Sequence, residues 1–209
     1  MKRHLPLFLL PLLSCLPFPS PSLPRLSSLA HVESSAIAHA GFSTSVFQSM
    51  DAQSIPERGR VRVPRKNTPI EMLDLAKVLH DGHVEVFGYA PSRRRLAGAL
   101  AQVRGENGNG RKVYNHNLGN IGLAPRIKAP FYQYGAGIFL VFPDFKTGAL
   151  AYWRTVQRCT MALAAFEQRD PTRAAHAFHR CGYHTTDPDA YAAVLRPLFW
   201  SSYELLDAS

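Results

Sequence analysis

The chain has 209 residues, with 24 Lys and Arg against 15 Asp and Glu and a formal net charge of +9. A hydrophobic content of 46% is that of a globular protein and excludes a wholly disordered chain. The length suits one compact domain plus an extra segment, and no uninterrupted apolar run reaches the ~18–20 residues that span a bilayer. The charge points to an anionic partner, whether nucleic acid, a membrane surface or an acidic cell-wall polymer, without choosing among them.

Lys2, Arg3 and His4 precede a Leu- and Pro-rich apolar stretch over residues 5–13, too short to span and of the length of a secretory h-region. Residues 1–30 are therefore expected to be a signal peptide, although Pro6 and Pro11 interrupt a helix and a mis-assigned start is the alternative. Leu12-Leu13-Ser14-Cys15 loosely resembles a lipobox, which makes a lipoprotein attached through Cys15 a minority option. Ala36-Ile37-Ala38 and Ala38-His39-Ala40 are small-residue cleavage candidates, with an earlier cut after Ser14 in competition. Removing residues 1–30 takes away Lys2, Arg3 and Arg25 and no acid, so +9 falls by three to +6. Residues 31–66 read as a Pro/Ser-rich linker ending in the basic run Arg58, Arg60, Arg62, Arg65 and Lys66. The plainer reading of that run is a solvated linker rather than an anion site.

Ordered structure is expected over residues 67–209. Thr68-Pro69-Ile70-Glu71 reads as a capping box with Pro at the first helical position. Ile70, Leu73, Leu75, Ala76 and Leu79 give that helix an apolar face, with Gly82 or Gly88 ending it. Ser92 caps a second helix that buries Leu96, Ala97, Leu100, Ala101 and Val103 and breaks in Gly105-Glu106-Asn107-Gly108-Asn109-Gly110. Residues 111–143 lack a helical period and carry Ile138-Phe139-Leu140-Val141-Phe142, which predicts a small, irregular β-element. Asp144 or Thr147 opens a helix through Trp153, and residues 160–168 read as another. Asp170-Pro171 and Asp187-Pro188 start helices at about 171–180 and 188–206. The predicted class is α+β, mainly α, with a small β-lobe mid-chain.

Several chemistries drop out. No Walker loop is present, and the glycines at 105–110 lack the strand context of a dinucleotide site. His80/His83 and His176/His179 are spaced to share a helix face, but neither pair has an evident third and fourth ligand, so no metal and no cofactor is expected. Cys159 and Cys181 are either a disulfide, in an exported protein, or two buried thiols.

The conspicuous feature is Glu106 at the junction of an apolar helix and a glycine-rich turn, followed by Tyr114-Asn115-His116-Asn117-Leu118-Gly119-Asn120. A carboxyl at such a junction has one buried side and one open side. Partial burial raises its pKa and keeps it protonated as a proton donor. Asn115, Asn117 and Asn120 offer amides to sugar hydroxyls or N-acetyl groups. On composition alone the plainer alternative prevails: a solvated acid and left-handed turn asparagines.

The order of motifs shifts that balance. Glu106-Asn107-Gly108-Asn109-Gly110, the Asn115–Ile121 block, Phe142-Pro143-Asp144-Phe145 with Gly148, and Gly182-Tyr183-His184-Thr185 with Asp187 and Tyr191 follow one another across residues 70–203. Together they resemble the bacterial glucosaminidases of the autolysin and flagellar-muramidase type, in the lysozyme-like superfamily. The resemblance implies a lysozyme-like domain whose β-lobe lies beside an active-site cleft. It also implies Glu106 as catalytic acid and Tyr183 as a tyrosine near the reacting sugar. The chain departs from the family at Asn107, Asn109 and Gly119-Asn120. The implied activity is hydrolysis of β-1,4 bonds in peptidoglycan, with glycan strands as partner, by a secreted or periplasmic monomer without stable membrane insertion. A lytic transglycosylase or a non-catalytic glycan-binding scaffold are the alternatives; nucleic-acid binding rests on charge alone and is not expected. Asp144 is the next acid after Glu106 and reads as a helix cap before a substrate contact. Tyr132 and Tyr134, beside Gly135 and Gly137, are the candidates for stacking on sugar, while Phe139 reads as core.

Overall fold

The structure of the protein, a computed structural model, describes residues 61–123 and 127–208. The expected signal peptide, Cys15, the cleavage candidates and most of the expected linker lie outside those residues. The described residues form six helices and one two-stranded antiparallel sheet: α1 (Met72–Phe87), α2 (Arg93–Glu106), β1 (Phe131–Tyr134), β2 (Gly137–Leu140), α3 (Phe145–Val156), α4 (Thr160–Glu167), α5 (Pro171–Arg180) and α6 (Pro188–Leu205). The class is α+β and mainly α, as the sequence predicts.

The caps explain most boundaries. The side chains of Ser92, Asp144 and Asp170 each accept the backbone N–H three residues on, and Asp187 accepts from Asp189 and Ala190, which satisfies donors left open at a helix start. Thr68 behaves differently from the capping box expected of it. Its N–H and its hydroxyl both donate to the Val113 carbonyl, at 2.7 and 3.1 Å, and its Oγ1 accepts from the His116 N–H. That side chain is committed to a segment 45 residues away, so α1 starts at Met72 with no side-chain cap and runs through Gly82 to Gly88. Leu73, placed on the apolar face by its spacing, is 54% exposed.

α2 is the central helix. Residues 96–103 are buried at every position, the pattern of a helix surrounded by protein on all sides. It packs on α6, α4 and α1, while α3 lies against α1 and α5 against α4 and α6. Two buried polar bonds key α3 into this core: Trp153 Nε1 donates to the Leu79 carbonyl at 2.7 Å, and the Tyr152 hydroxyl donates to Gln102 Oε1 at 2.6 Å. Cys159 and Cys181 form a disulfide between the start of α4 and the end of α5.

β1 and β2 are a hairpin turning at Gly135-Ala136, with Tyr132 opposite Phe139 and Tyr134 opposite Gly137. The folded domain also begins earlier than residue 67. The Phe131 N–H donates to the Val61 carbonyl at 2.9 Å, the Val63 N–H donates to the Phe131 carbonyl at 2.8 Å, and Asn67 bridges Tyr114. The backbone of the last part of the basic run thus pairs along the free edge of β1, while its Arg62, Arg65 and Lys66 side chains stay exposed.

Candidate active site

α2 ends on Glu106, and Gly108, Asn109 and Gly110 after it all take left-handed backbone, with φ of 55°, 59° and 78°. Such a run cannot continue a helix. The turn is fastened from several directions. Asn107, fully buried, donates through Nδ2 to the Leu118 carbonyl. Arg104 donates to Asn109 Oδ1 and to both Ser201 Oγ and Ser202 Oγ of α6, each at 2.9 Å. A Cβ on Gly110 would stand 2.5 Å from the Ile70 carbonyl oxygen, so that glycine admits the segment leading into α1. Asn107 and Asn109 are therefore ties that hold the turn.

The Glu106 carboxyl is held at both oxygens. Asn120 Nδ2 donates to Oε2 at 3.2 Å and to the Glu106 carbonyl at 3.0 Å, and the Tyr191 hydroxyl donates to Oε1 at 3.3 Å. Burial strips water from the carboxyl and pushes its pKa from 4.5 up to about 7; the two hydrogen bonds favour the charged form and offset only part of that rise. The carboxyl is buried while the residue as a whole stays partly exposed.

Three tyrosines surround it. Tyr152, Tyr183 and Tyr191 are buried, and burial first, then the Glu106 charge, raises each phenol well above its ordinary pKa. They remain neutral. The Tyr183 hydroxyl donates to the Gly119 carbonyl at 3.1 Å. A Cβ on Gly119 would lie 2.8 Å from that hydroxyl and 2.9 Å from Tyr152 Cδ2, which accounts for glycine at this position. His184 stacks on Tyr191 with ring centroids 4.0 Å apart, and burial lowers its pKa to about 4, so it brings no charge to the acid.

The structure thus gathers Glu106, Asn120 and, through Gly119, Tyr183. Tyr191 is the tyrosine that touches the carboxyl. Its sequence signal was its place after Gly182-Tyr183, but an aromatic on the first turn of a helix reads as core until α6 is packed on α2. Asn115 and Asn117 are not substrate amides. Asn115 Oδ1 accepts the Lys66 N–H at 2.7 Å while its Nδ2 donates to the Pro64 carbonyl at 3.1 Å. Asn117, fully buried, donates to the Ile121 and Leu140 carbonyls and accepts the Ile121 N–H. Asn115 thus holds the backbone of the basic segment, and Asn117 braces the β-lobe. Asp144 caps α3, and hydrogen bonds from Thr147 hold its carboxyl below the ordinary range, which gives it an ionised structural role in place of substrate contact.

Tyr132 is 1% exposed and stacks on Phe139 at 5.4 Å between centroids. This corrects its reading as a sugar-stacking ring: it shares a face with Tyr134 but sits nearer the base of the hairpin, where the core covers it. Tyr134, at the turn, is 42% exposed. His83 is buried with Nδ1 on the Tyr89 carbonyl, His80 pairs with Asp81 and His176 with Asp189. Among the described residues no group of three His, Cys, Asp or Glu is placed to hold a metal ion.

No protein-family model matches the chain, and no curated protein matches it. Among solved structures the chain is similar to the glycoside hydrolase domain from Salmonella typhimurium FlgJ, at 16% sequence identity and a TM-score of 0.47, covering 66% of this chain and 92% of that one. That likeness assigns no residue, and the site stands on its own hydrogen bonds and burial.

Proposed function

We propose that the protein is a glycosidase of peptidoglycan glycan strands, endo-β-N-acetylglucosaminidase-like, with Glu106 as general acid. The observation that carries this reading is the desolvated Glu106 carboxyl at the end of α2, with a pKa of about 7. A carboxylic acid so tuned is substantially protonated at neutral pH and donates to the glycosidic oxygen as the C–O bond breaks. Asn120 and Tyr191 then stabilise the carboxylate left behind, since both bonds favour the charged form. Support for the polymer comes from the ordered motifs shared with bacterial glucosaminidases and from the net positive charge of the chain, which attracts an anionic wall. The Cys159–Cys181 disulfide supports work in an oxidising compartment, secreted or periplasmic. We take the working species to be a monomer and the chemistry to need no cofactor.

Glycosidases usually place a second carboxyl ~5–5.5 Å or ~6.5–9.5 Å from the acid. Among the described residues no carboxylate charge acts on Glu106, whose pKa is set by burial, Asn120 and Tyr191, and Asp144 is tied to α3. This favours attack by the N-acetyl oxygen of the substrate on the anomeric carbon. As the glycosidic oxygen leaves with the Glu106 proton, an intermediate on N-acetylglucosamine is opened by water to a reducing end. One on N-acetylmuramic acid is closed by that sugar's own C6 hydroxyl to an anhydro end, so the two readings differ in the bond cut. The second outcome is the lytic-transglycosylase reading. Mass spectrometry of muropeptides released from purified sacculi separates them: reducing N-acetylglucosamine ends support the hydrolase and anhydromuramic ends the transglycosylase. Binding without release would overturn both in favour of a scaffold.

A further inference from the structure

We propose that the edge of the β-lobe is a receptor for the carboxylates of peptidoglycan stem peptides, an inference that rests on the reading of the polymer given above. Three observations carry it. First, the sequence of this region carries cations without acids: residues 107–123 contain Arg111 and Lys112, residues 127–143 contain Lys128, and residues 61–67 contain Arg62, Arg65 and Lys66, with no Glu in any of them and no Asp before Asp144. Among the described residues no carboxylate pairs with Arg62, Arg65, Lys66, Arg111 or Lys112.

Second, the basic segment is fixed. Its backbone bonds to Phe131 on the free edge of β1, and the Asn115 amide grips the Lys66 N–H and the Pro64 carbonyl. Arg62, Arg65 and Lys66 are nevertheless exposed. The cations are held at the surface instead of trailing on a flexible chain, which lowers the entropy lost on capturing a ligand.

Third, Arg65 is pre-oriented. Its guanidinium lies over the Tyr114 ring at 4.5 Å and the Tyr134 ring at 4.2 Å. Contact with aromatic faces orients the planar fork without using its N–H donors in ion pairs. A fork so placed fits a carboxylate in bidentate fashion. The exposed ring of Tyr134 beside it offers a face to the sugar that carries the peptide. Stem-peptide carboxylates match this geometry better than phosphates scattered along a second polymer, because they ride on the strand that Glu106 would cleave.

The test uses the full chain with Glu106→Gln, so that the polymer stays intact, and measures binding at low and high salt. Its ligands are intact sacculi and glycan strands stripped of stem peptides by an amidase, with free stem peptide and soluble polyphosphate as competitors. Intact sacculi should bind at least ~5-fold more tightly than stripped strands at low salt, and that preference should fall steeply with salt. Arg65→Gln, and independently the exposed Arg62→Gln, should each shrink the preference toward one while the melting temperature holds. Arg65→Lys should rescue only in part, since an ammonium lacks the fork. Equal binding to both polymers, or displacement by polyphosphate ahead of free stem peptide, would overturn the inference. Binding to neither polymer would instead overturn the choice of polymer, so the two failures are distinct.

Discussion

The hydroxyl of Tyr191 donates to Oε1 of Glu106 at 3.3 Å, joining the first turn of α6 to the last turn of α2. This bond and that from Asn120 lower the pKa of the acid, while burial raises it and prevails. Removing the hydroxyl in Tyr191→Phe takes away a donor that favours the carboxylate, so the acid should hold its proton to higher pH. The alkaline limb of kcat/KM on sacculi, which reports the acid in the free enzyme, should move upward in pH. An unmoved limb would mean that the hydroxyl does not contact the acid in the working enzyme.

The same acid makes stability depend on pH. Glu106 keeps its proton in the folded state up to about pH 7, whereas the ordinary carboxyl releases it near 4.5. The folded state therefore binds more protons between those values, and stability falls as pH rises through that window and levels off above it. At ~1.36 kcal/mol per pH unit the loss amounts to about 3 kcal/mol. Glu106→Gln is neutral at every pH and escapes it. Its melting temperature should exceed that of the wild type at pH 8 and match it at pH 4, as calorimetry at the two values would show.

Local chemistry made most of this fold legible. Ser92, Asp144, Asp170 and Asp187 reach N–H groups two or three residues away, so a cap can be read from a few letters. Thr68 carries the same signature, yet its hydroxyl binds Val113 and α1 starts later; a partner 45 residues distant leaves no local trace. The site divides the same way. Glu106 announces itself as a helix end beside glycines. Asn115, Asn117 and Asn120 look alike in sequence, and tertiary contacts alone assign the first to the backbone of the basic segment, the second to the β-lobe backbone and the third to the acid. The backbone docking of residues 61–63 left no mark in the basic run, because β-edge pairing depends on what lies alongside, in this case β1.

The disulfide closes a loop 22 residues long and is followed at once by Gly182-Tyr183-His184. Cross-linking a loop of that size removes unfolded-state freedom worth about 3 kcal/mol in the chain-entropy account. The double variant Cys159→Ser, Cys181→Ser should lose about that much in a urea titration and should also lose activity at temperatures where it remains folded. Full stability after the double substitution would contradict the account.

The two aromatic roles in the hairpin separate by exposure. Phe139 is 8% exposed and Tyr134 is 42% exposed. Phe139→Ala should destabilise by about 3–5 kcal/mol, as deletion of a large core side chain does. Tyr134→Ala should leave the melting temperature nearly unchanged and weaken retention on sacculi. Thermal melts and sacculus pull-downs on both variants check this, and the opposite pattern would reverse the assignments.

The most direct test of Glu106 as the general acid is the rate at which Glu106→Gln releases soluble muropeptides from sacculi at neutral pH. Its amide fills the same space but has no proton of suitable acidity to give to the leaving oxygen. The rate should fall at least ~100-fold below that of the wild type, the scale of lost general acid catalysis, in a protein that melts no lower than its parent. A folded variant that releases muropeptides at a near-normal rate would contradict the assignment.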